Sequence, residues 1–316
     1  MSSGQDWFQQ LPQNLVIGLQ QGSIYSLVAL GYTLVYGVLQ LINFAHSEVF
    51  MTGGFGSYLV VNGIVGKRNL TGAMVPITIV CGVLSGAICG AAIAWLLEKV
   101  AYKPLRKRGA PKLAFLISAI GASLFLSNLA GKLFNHLNNN SFPTYFNVNA
   151  HVFSIGSANV SLITLIIVAT AIVMMLFLDR LVSVTKLGRG IRAVAEDAPT
   201  AALMGIDIDK TISRTFVIGG ALAGIAGFMF GTAIGVSYLM GFTPGVKAFA
   251  AAVLGGIGNV RGAMIGGLIL GEAEVLISSL PFIGAQWNDV VSFIVLVLVL
   301  LVRPTGILGE RLGRAA

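Results

Sequence analysis

Apolar stretches of membrane-crossing length recur along the whole chain, approximately over 14–36, 39–61, 72–97, 113–131, 159–178, 215–236, 262–280 and 286–302, with a shorter one at 245–259. A helix needs about 20 such residues to cross roughly 30 Å of hydrocarbon. Lipid offers no partners for backbone N–H and C=O groups, so a spanning chain folds as helices or as a closed barrel. The two-residue alternation of a barrel strand is absent here. Composition agrees: 56% of the residues are hydrophobic and 10% charged, against about 25% charged in soluble domains. The expected fold is all-α, a polytopic integral membrane helix bundle with broken or re-entrant helices. One domain is expected over 1–316, with its membrane core over 14–302.

The formal net charge of +8 does not point to nucleic acid, because the basic residues cluster in short loops beside the spans, where the positive-inside rule expects them. Of the 20 Lys and Arg, six fall in 98–112, six in 179–214 and three after 302, which assigns these segments to the cytoplasm. The segment 131–158 holds one lysine and many asparagines and is assigned to the outer face. No basic residue precedes Lys67, so the amino terminus is expected outside and the carboxyl terminus in the cytoplasm. That arrangement needs an odd number of crossings: nine if 245–259 crosses, or seven if 245–280 is a hairpin re-entering from outside. The opening MSSGQDWFQQLPQN has neither a basic start nor a small-residue cleavage site, so no cleavable signal is expected. Cys81 and Cys89 share one apolar run about 12 Å apart along a helix. They are too distant to pair with each other, and without histidine neighbours they form no metal site.

The 40 glycines are spaced in large part by four, as in Gly82, Gly86 and Gly90, then Gly227, Gly231 and Gly235. Such faces let helix backbones approach closely in lipid. Others are expected to mark breaks, above all in LGGIGNVRGAMIGG at 254–267, which contains Gly255 and Gly256.

LINFAHSEV, 41–49, places a histidine and a glutamate in an apolar stretch. In a regular helix Asn43 and His46 would share a face, while His46 and Glu48 would point about 200° apart. One of the two would then meet lipid at a cost of at least about 2.5–3.5 kcal/mol. The segment is therefore expected to be kinked or enclosed. Asn43, His46 and Glu48 then either bond locally at a capped helix break or line a translocation path, and the two are compatible because irregular backbone is tolerated beside a cavity. In the second half of the chain Lys247 and Glu274 are natural partners, expected to pair and to brace the broken segment.

The segment KLGRGIRAVAEDAPTAALMGIDIDKTISR, 186–214, is charged yet rich in alanine and long enough for two short helices. Asp197 can cap a helix with Pro199 in its first turn, Gly205 can end it in the left-handed conformation, and Asp207 or Asp209 can cap the next span. Its near-balanced charge and small apolar residues suit a protein groove better than a lipid surface. No phosphate loop, nucleophile elbow or His-Glu-x-x-His pair is present. The chain is not expected to be an enzyme, and any ATP chemistry must reside on another chain.

Three stretches together, LGYTLVYGVLQLINFAHSEVFMTG at 30–53, GRGIRAVAEDAPTAALMGID at 188–207 and VKAFAAAVLGGIGNVRGAMIGGLILGEAE at 246–274, resemble the permease subunits of branched-chain amino acid ABC importers, of the LivH type. The likeness runs from about residue 14 to the carboxyl terminus. It implies a multi-pass protein of the bacterial inner membrane, working with a second, homologous permease, two ATP-binding subunits and an external substrate-binding protein. ATP and Mg would be bound by the partner subunits, and no cofactor by this chain. The resemblance makes 188–205, within the cytoplasmic coupling loop 179–214, the element that contacts an ATPase, with Arg189, Arg192, Glu196, Asp197, Ala201 and Gly205 matching its pattern. It also places Asn43, His46 and Glu48 in the permease core and matches Glu274 to an acidic position, whereas Glu272 is additional. Where the family reads INFAHGE this chain has Ser47, which argues against a left-handed turn there. Two alternatives stand beside this reading. One is the same machinery carrying urea or short amides; the other is an ion-coupled secondary amino acid transporter with His46, Glu48 and Glu274 as a relay.

Overall fold

The structure, a computed structural model, describes residues 3–65, 74–134, 151–155, 157–280, 284–303 and 305–309. Twelve α-helices are found among them: α1 (Ser3–Leu39), α2 (His46–Val65), α3 (Met74–Leu97), α4 (Lys103–Lys107), α5 (Lys112–Leu133), α6 (Leu162–Val184), α7 (Lys186–Glu196), α8 (Ala198–Leu203), α9 (Ile208–Ala233), α10 (Phe242–Gly255), α11 (Val260–Ser278) and α12 (Asn288–Val302). Each apolar stretch of the sequence falls largely on a helix, with the exceptions given below. Five helical segments, Gln9–Leu39, Met74–Lys107, Lys112–Leu133, Leu162–Val184 and Ile208–Ala233, are long and apolar enough to cross a membrane, and α10 and α12 are shorter apolar helices. This is an all-α polytopic membrane protein.

Three boundaries differ from the sequence reading. The stretch at 39–61 is not one helix, because α1 continues to Leu39 and α2 begins only at His46. The basic segment 98–112 is not a loop throughout. A π-helical turn, Glu98–Tyr102, and α4 prolong α3 to Lys107. Within 131–158, residues 135–150 lie outside the described set, but β1 (His151–Ile155) pairs antiparallel with β2 (Ala158–Ser161), with Phe153 opposite Val160.

The chain forms two compact units, the first from Met1–Thr33, Asn149–Leu176 and Lys247–Ala316, the second from Leu34–Val148 and Phe177–Val246. In the first, α1 and α11 meet at backbone contact. An added Cβ on Gly22 or Gly271 would strike the backbone of the opposite helix, and Ser26 Oγ donates to Met264 O at 2.8 Å. In the second, α2, α3 and α9 pack through glycines: Gly86 and Gly90 of α3 against Gly224 and Gly220 of α9, and Gly54 of α2 against Gly227. The α3 stripe is the one expected. The stripe it meets on α9 is Gly220 and Gly224 rather than Gly231 and Gly235. Gly227 turns to α2, and Gly235 lies past the end of α9 at φ 117.

Candidate functional site

The break in the second unit is built by residues 40–45. Gln40 adopts φ 51, a left-handed conformation, and its side-chain amide donates to Ala195 O of α7 at 3.0 Å. Asn43 then organises the start of α2. Its Oδ1 accepts from Ala45 N at 3.1 Å and from Tyr102 Oη at 2.8 Å, while its carbonyl accepts from His46 N at 3.1 Å. The left-handed residue is thus Gln40, and Ser47 is helical, with its hydroxyl donating to Phe44 O at 2.7 Å. His46 and Glu48 are both buried, so neither meets lipid despite their angular separation. Glu48 Oε1 accepts from Ser123 Oγ of α5 at 3.1 Å, and Gly241 and Gly245 press their backbones on Glu48 and Ser47. Because Gln40 reaches α7 and Asn43 reaches Tyr102, the break lies at the end of this unit that carries the α7–α8 loop.

A charge cluster that the sequence reading missed sits at the same end. Arg106 Nη2 bonds Asp209 at 2.6 Å and Glu98 at 3.1 Å, Lys103 reaches Asp209 at 3.2 Å, and Ser213 Oγ donates to Glu98 at 2.6 Å. Glu98 is 1% exposed. In sequence these residues are only charges flanking the spans, and nothing in their spacing announces that they meet.

In the first unit Lys247 Nζ lies 2.8 Å from Glu274 Oε1, the pairing expected from the sequence. The surrounding network was not expected: Tyr25 Oη and Ser292 Oγ each donate to Glu274 Oε2 at 3.0 Å, Gln21 donates to Tyr25 at 2.8 Å, and Lys247 also reaches Asp289 at 2.8 Å. α10 ends at Gly255, packed against Gly262, and Gly256 and Gly258 turn the chain at φ 104 and 96 into α11, which Asn259 caps. The last carbonyls of α10 are satisfied from far away in sequence. Ile307 N donates to Leu254 O at 2.9 Å, Leu308 N to Gly255 O at 3.0 Å, and Asn259 Nδ2 to Leu308 O at 2.9 Å.

The α7–α8 segment is capped as its sequence suggests. Thr185 caps α7, Asp197 caps α8 with Pro199 in the first turn, and Asp207 caps α9. Gly205, at φ 82, closes α8 with Ile206 N donating to Ala201 O and Gly205 N to Ala202 O, a Schellman ending. Hydrogen bonds from the Thr200 hydroxyl and amide hold the Asp197 carboxyl below its ordinary range. The Lys210 amide does the same first of all for Asp207. Of the six residues in the coupling pattern, Arg189, Arg192, Glu196, Asp197 and Gly205 are exposed and Ala201 is buried. Arg189 and Arg192 turn their guanidinium groups back onto the α6 carbonyls of Val182, Ser183 and Val184, capping that helix end. The apolar residues are not all small: Leu203 and Met204 are 88% and 79% exposed. Among the described residues no group of His, Cys, Asp and Glu is placed to hold a metal ion.

Apolar helices broken at glycines and buried charge networks together define a polytopic α-helical membrane protein. The profile of the branched-chain amino acid transport system permease component family matches residues 14–300, and the chain belongs to that family. It is 42% identical, over 94% of this chain and 95% of the relative, to the high-affinity branched-chain amino acid transport system permease protein LivH of Escherichia coli (strain K12). It is 43% identical over the same shares to the permease protein BraD of Pseudomonas aeruginosa. A probable branched-chain amino acid transport permease protein LivH of Methanocaldococcus jannaschii is 29% identical over 92% of this chain and 91% of its own. Family and helices together make this a multi-pass inner-membrane protein.

Proposed function

We propose that this chain is one of two permease subunits of an ATP-driven importer, passing branched-chain amino acids that an external binding protein delivers. ATP and Mg are bound and turned over by two separate ATP-binding subunits, and this chain binds no cofactor. The observation that carries the reading beyond family membership is the α7–α8 segment. It is fixed by caps at each end, yet it leaves Leu203, Met204, Glu196 and Asp197 uncovered. A rigid surface combining apolar and acidic side chains suits docking to a protein. Arg189 and Arg192 act here by holding α7 to the end of α6, so their contribution to coupling is positional.

The arrangement of the first unit supports nine crossings. Trp7 bonds Ser279 at one end, and residues 305–309 cover the α10–α11 turn at the other. A turn beside the segment that follows α12 fits a crossing α10 better than a hairpin dipping from the opposite side. An external amino terminus and a cytoplasmic carboxyl terminus follow from that count and from the basic loops.

Charge reversal at Glu196 and Asp197 together is expected to abolish leucine uptake while the permease remains folded and inserted. Asp197→Ser, which keeps a capping oxygen, separates loss of charge from loss of the cap. Normal uptake by the doubly reversed protein would remove the coupling assignment. One observation favours proton coupling instead: Glu48 Oε2 is buried without a hydrogen-bond partner among the described residues.

A further inference from the structure

A groove within the first unit, about 690 Å³ in volume, lies between the amino-terminal part of α1, the β1–β2 hairpin and the first turn of α6. Gln9, Gln13, Val16 and Gln20 recur every three or four residues on one face of α1 and line the groove over about 16 Å of helix. Two of these amides have a fixed orientation. Asn159 N donates to Gln13 at 2.8 Å, and because a backbone N–H can only donate, it is Gln13 Oε1 that faces the hairpin. Thr164, 4% exposed, donates its hydroxyl to Gln20 Oε1 at 2.6 Å. Both oxygens are therefore engaged, and the two Nε2 groups, which make no hydrogen bond among the described residues, remain as donors.

The groove also straddles a change of solvent. The apolar stretch of α1 begins at about residue 14, between Gln13 and Val16, which sets the groove at the level of lipid headgroups rather than in mid-hydrocarbon. Its apolar part is formed by Val16 and Ile17; Ile17 is 44% exposed, and Leu162, next to the lining residue Ser161, is 36% exposed. None of the lining residues is ionisable, so the groove offers no charge to neutralise an ionic ligand. The ligand that matches is uncharged overall, carries acceptor oxygens for the two amide donors and has a hydrocarbon part. We propose that this groove is a binding site for a zwitterionic phospholipid. Its phosphate oxygens accept from Gln13 Nε2 and Gln20 Nε2, the amide oxygens of Gln9 and Gln10 at the polar end receive its ammonium group, and an acyl chain leaves over Ile17.

The test uses the full chain in its assembled complex, purified in detergent, with dioleoylphosphatidylethanolamine as the probe and native mass spectrometry as the readout. Gln13→Glu combined with Gln20→Glu keeps the oxygens that hold the hairpin and Thr164, but replaces both N–H donors with carboxylate oxygen against the phosphate. One bound phospholipid per copy of this chain should be lost, its affinity falling by at least about tenfold, the scale of two hydrogen bonds. Ile17→Trp fills the groove from its exposed wall without touching either amide and should lose the same lipid. Undiminished lipid binding by either folded variant would overturn the proposal. Displacement of the lipid by an equal concentration of glycerophosphoethanolamine would also overturn it, by making the ligand a soluble phosphodiester. Equal retention of dioleoylphosphatidylglycerol would contradict the zwitterionic headgroup.

Discussion

Glu274 shows what a charge must have in order to persist in a membrane core. Both its oxygens are bonded, one by Lys247 and the other by Tyr25 and Ser292. Lys247→Met leaves that carboxylate buried and without its cation, a change of the kind that costs about 3–5 kcal/mol. Thermal unfolding of the solubilised protein should show a marked loss for Lys247→Met and a partial recovery when Glu274→Gln is added. Equal losses in the single and double variants would mean that the pair carries no coupling. The pairing was legible because charges are scarce in this sequence and these two have few alternatives. Tyr25, Ser292 and Asp289 were not legible, since hydroxyl groups are common and their positions become adjacent only after folding. The same holds for Glu98, Arg106 and Asp209, which join the end of α3 to the start of α9. Asp197 was read correctly from local chemistry alone. Its lowered carboxyl gives α8 full support above the ordinary Asp value of about 3.9, and that support declines as pH falls below this value and is gone below the lower folded one.

At the level of elements, helix existence followed from hydropathy, and helix contacts followed only in part. A four-residue glycine spacing says that a backbone can approach, but not which of several stripes meets which. Gly224→Ala places a methyl group on the Gly86 carbonyl and should sharply reduce the yield of monodisperse protein in size-exclusion chromatography. Gly121→Ala meets nothing within 4 Å and, being inside α5, should be neutral or stabilising by about 0.5–1 kcal/mol. Similar yields from both would show that close packing is not what orders α3 and α9. The break after α10 was legible as a glycine cluster, whereas its cover was not, because Ile307 and Leu308 act through backbone amides that leave no mark in side-chain pattern. Gly306 sits at φ 83 against Gly256. Gly306→Val should therefore displace the segment and raise hydrogen exchange at 254–259 in the full complex; unchanged exchange would show that the tail contact is not needed there.

On the scale of the molecule, the chain enters one compact unit three times and the other twice, so neither is a contiguous domain of sequence. Composition and motif order were sufficient for class and family, because membrane insertion constrains every span and three separated motifs constrain one another. The two units were not legible, since their division runs inside α1, α6 and α10, where hydropathy is continuous. Leucine uptake into membrane vesicles that contain this chain with its partner subunits, comparing internal ATP with an imposed proton gradient, separates ATP-driven import from proton coupling. Uptake is expected to need ATP and the external binding protein and to be unaffected by the gradient. Uptake driven by the gradient alone, without partner subunits, would contradict ATP-driven import and move His46 and Glu48 from structural roles to the transport step.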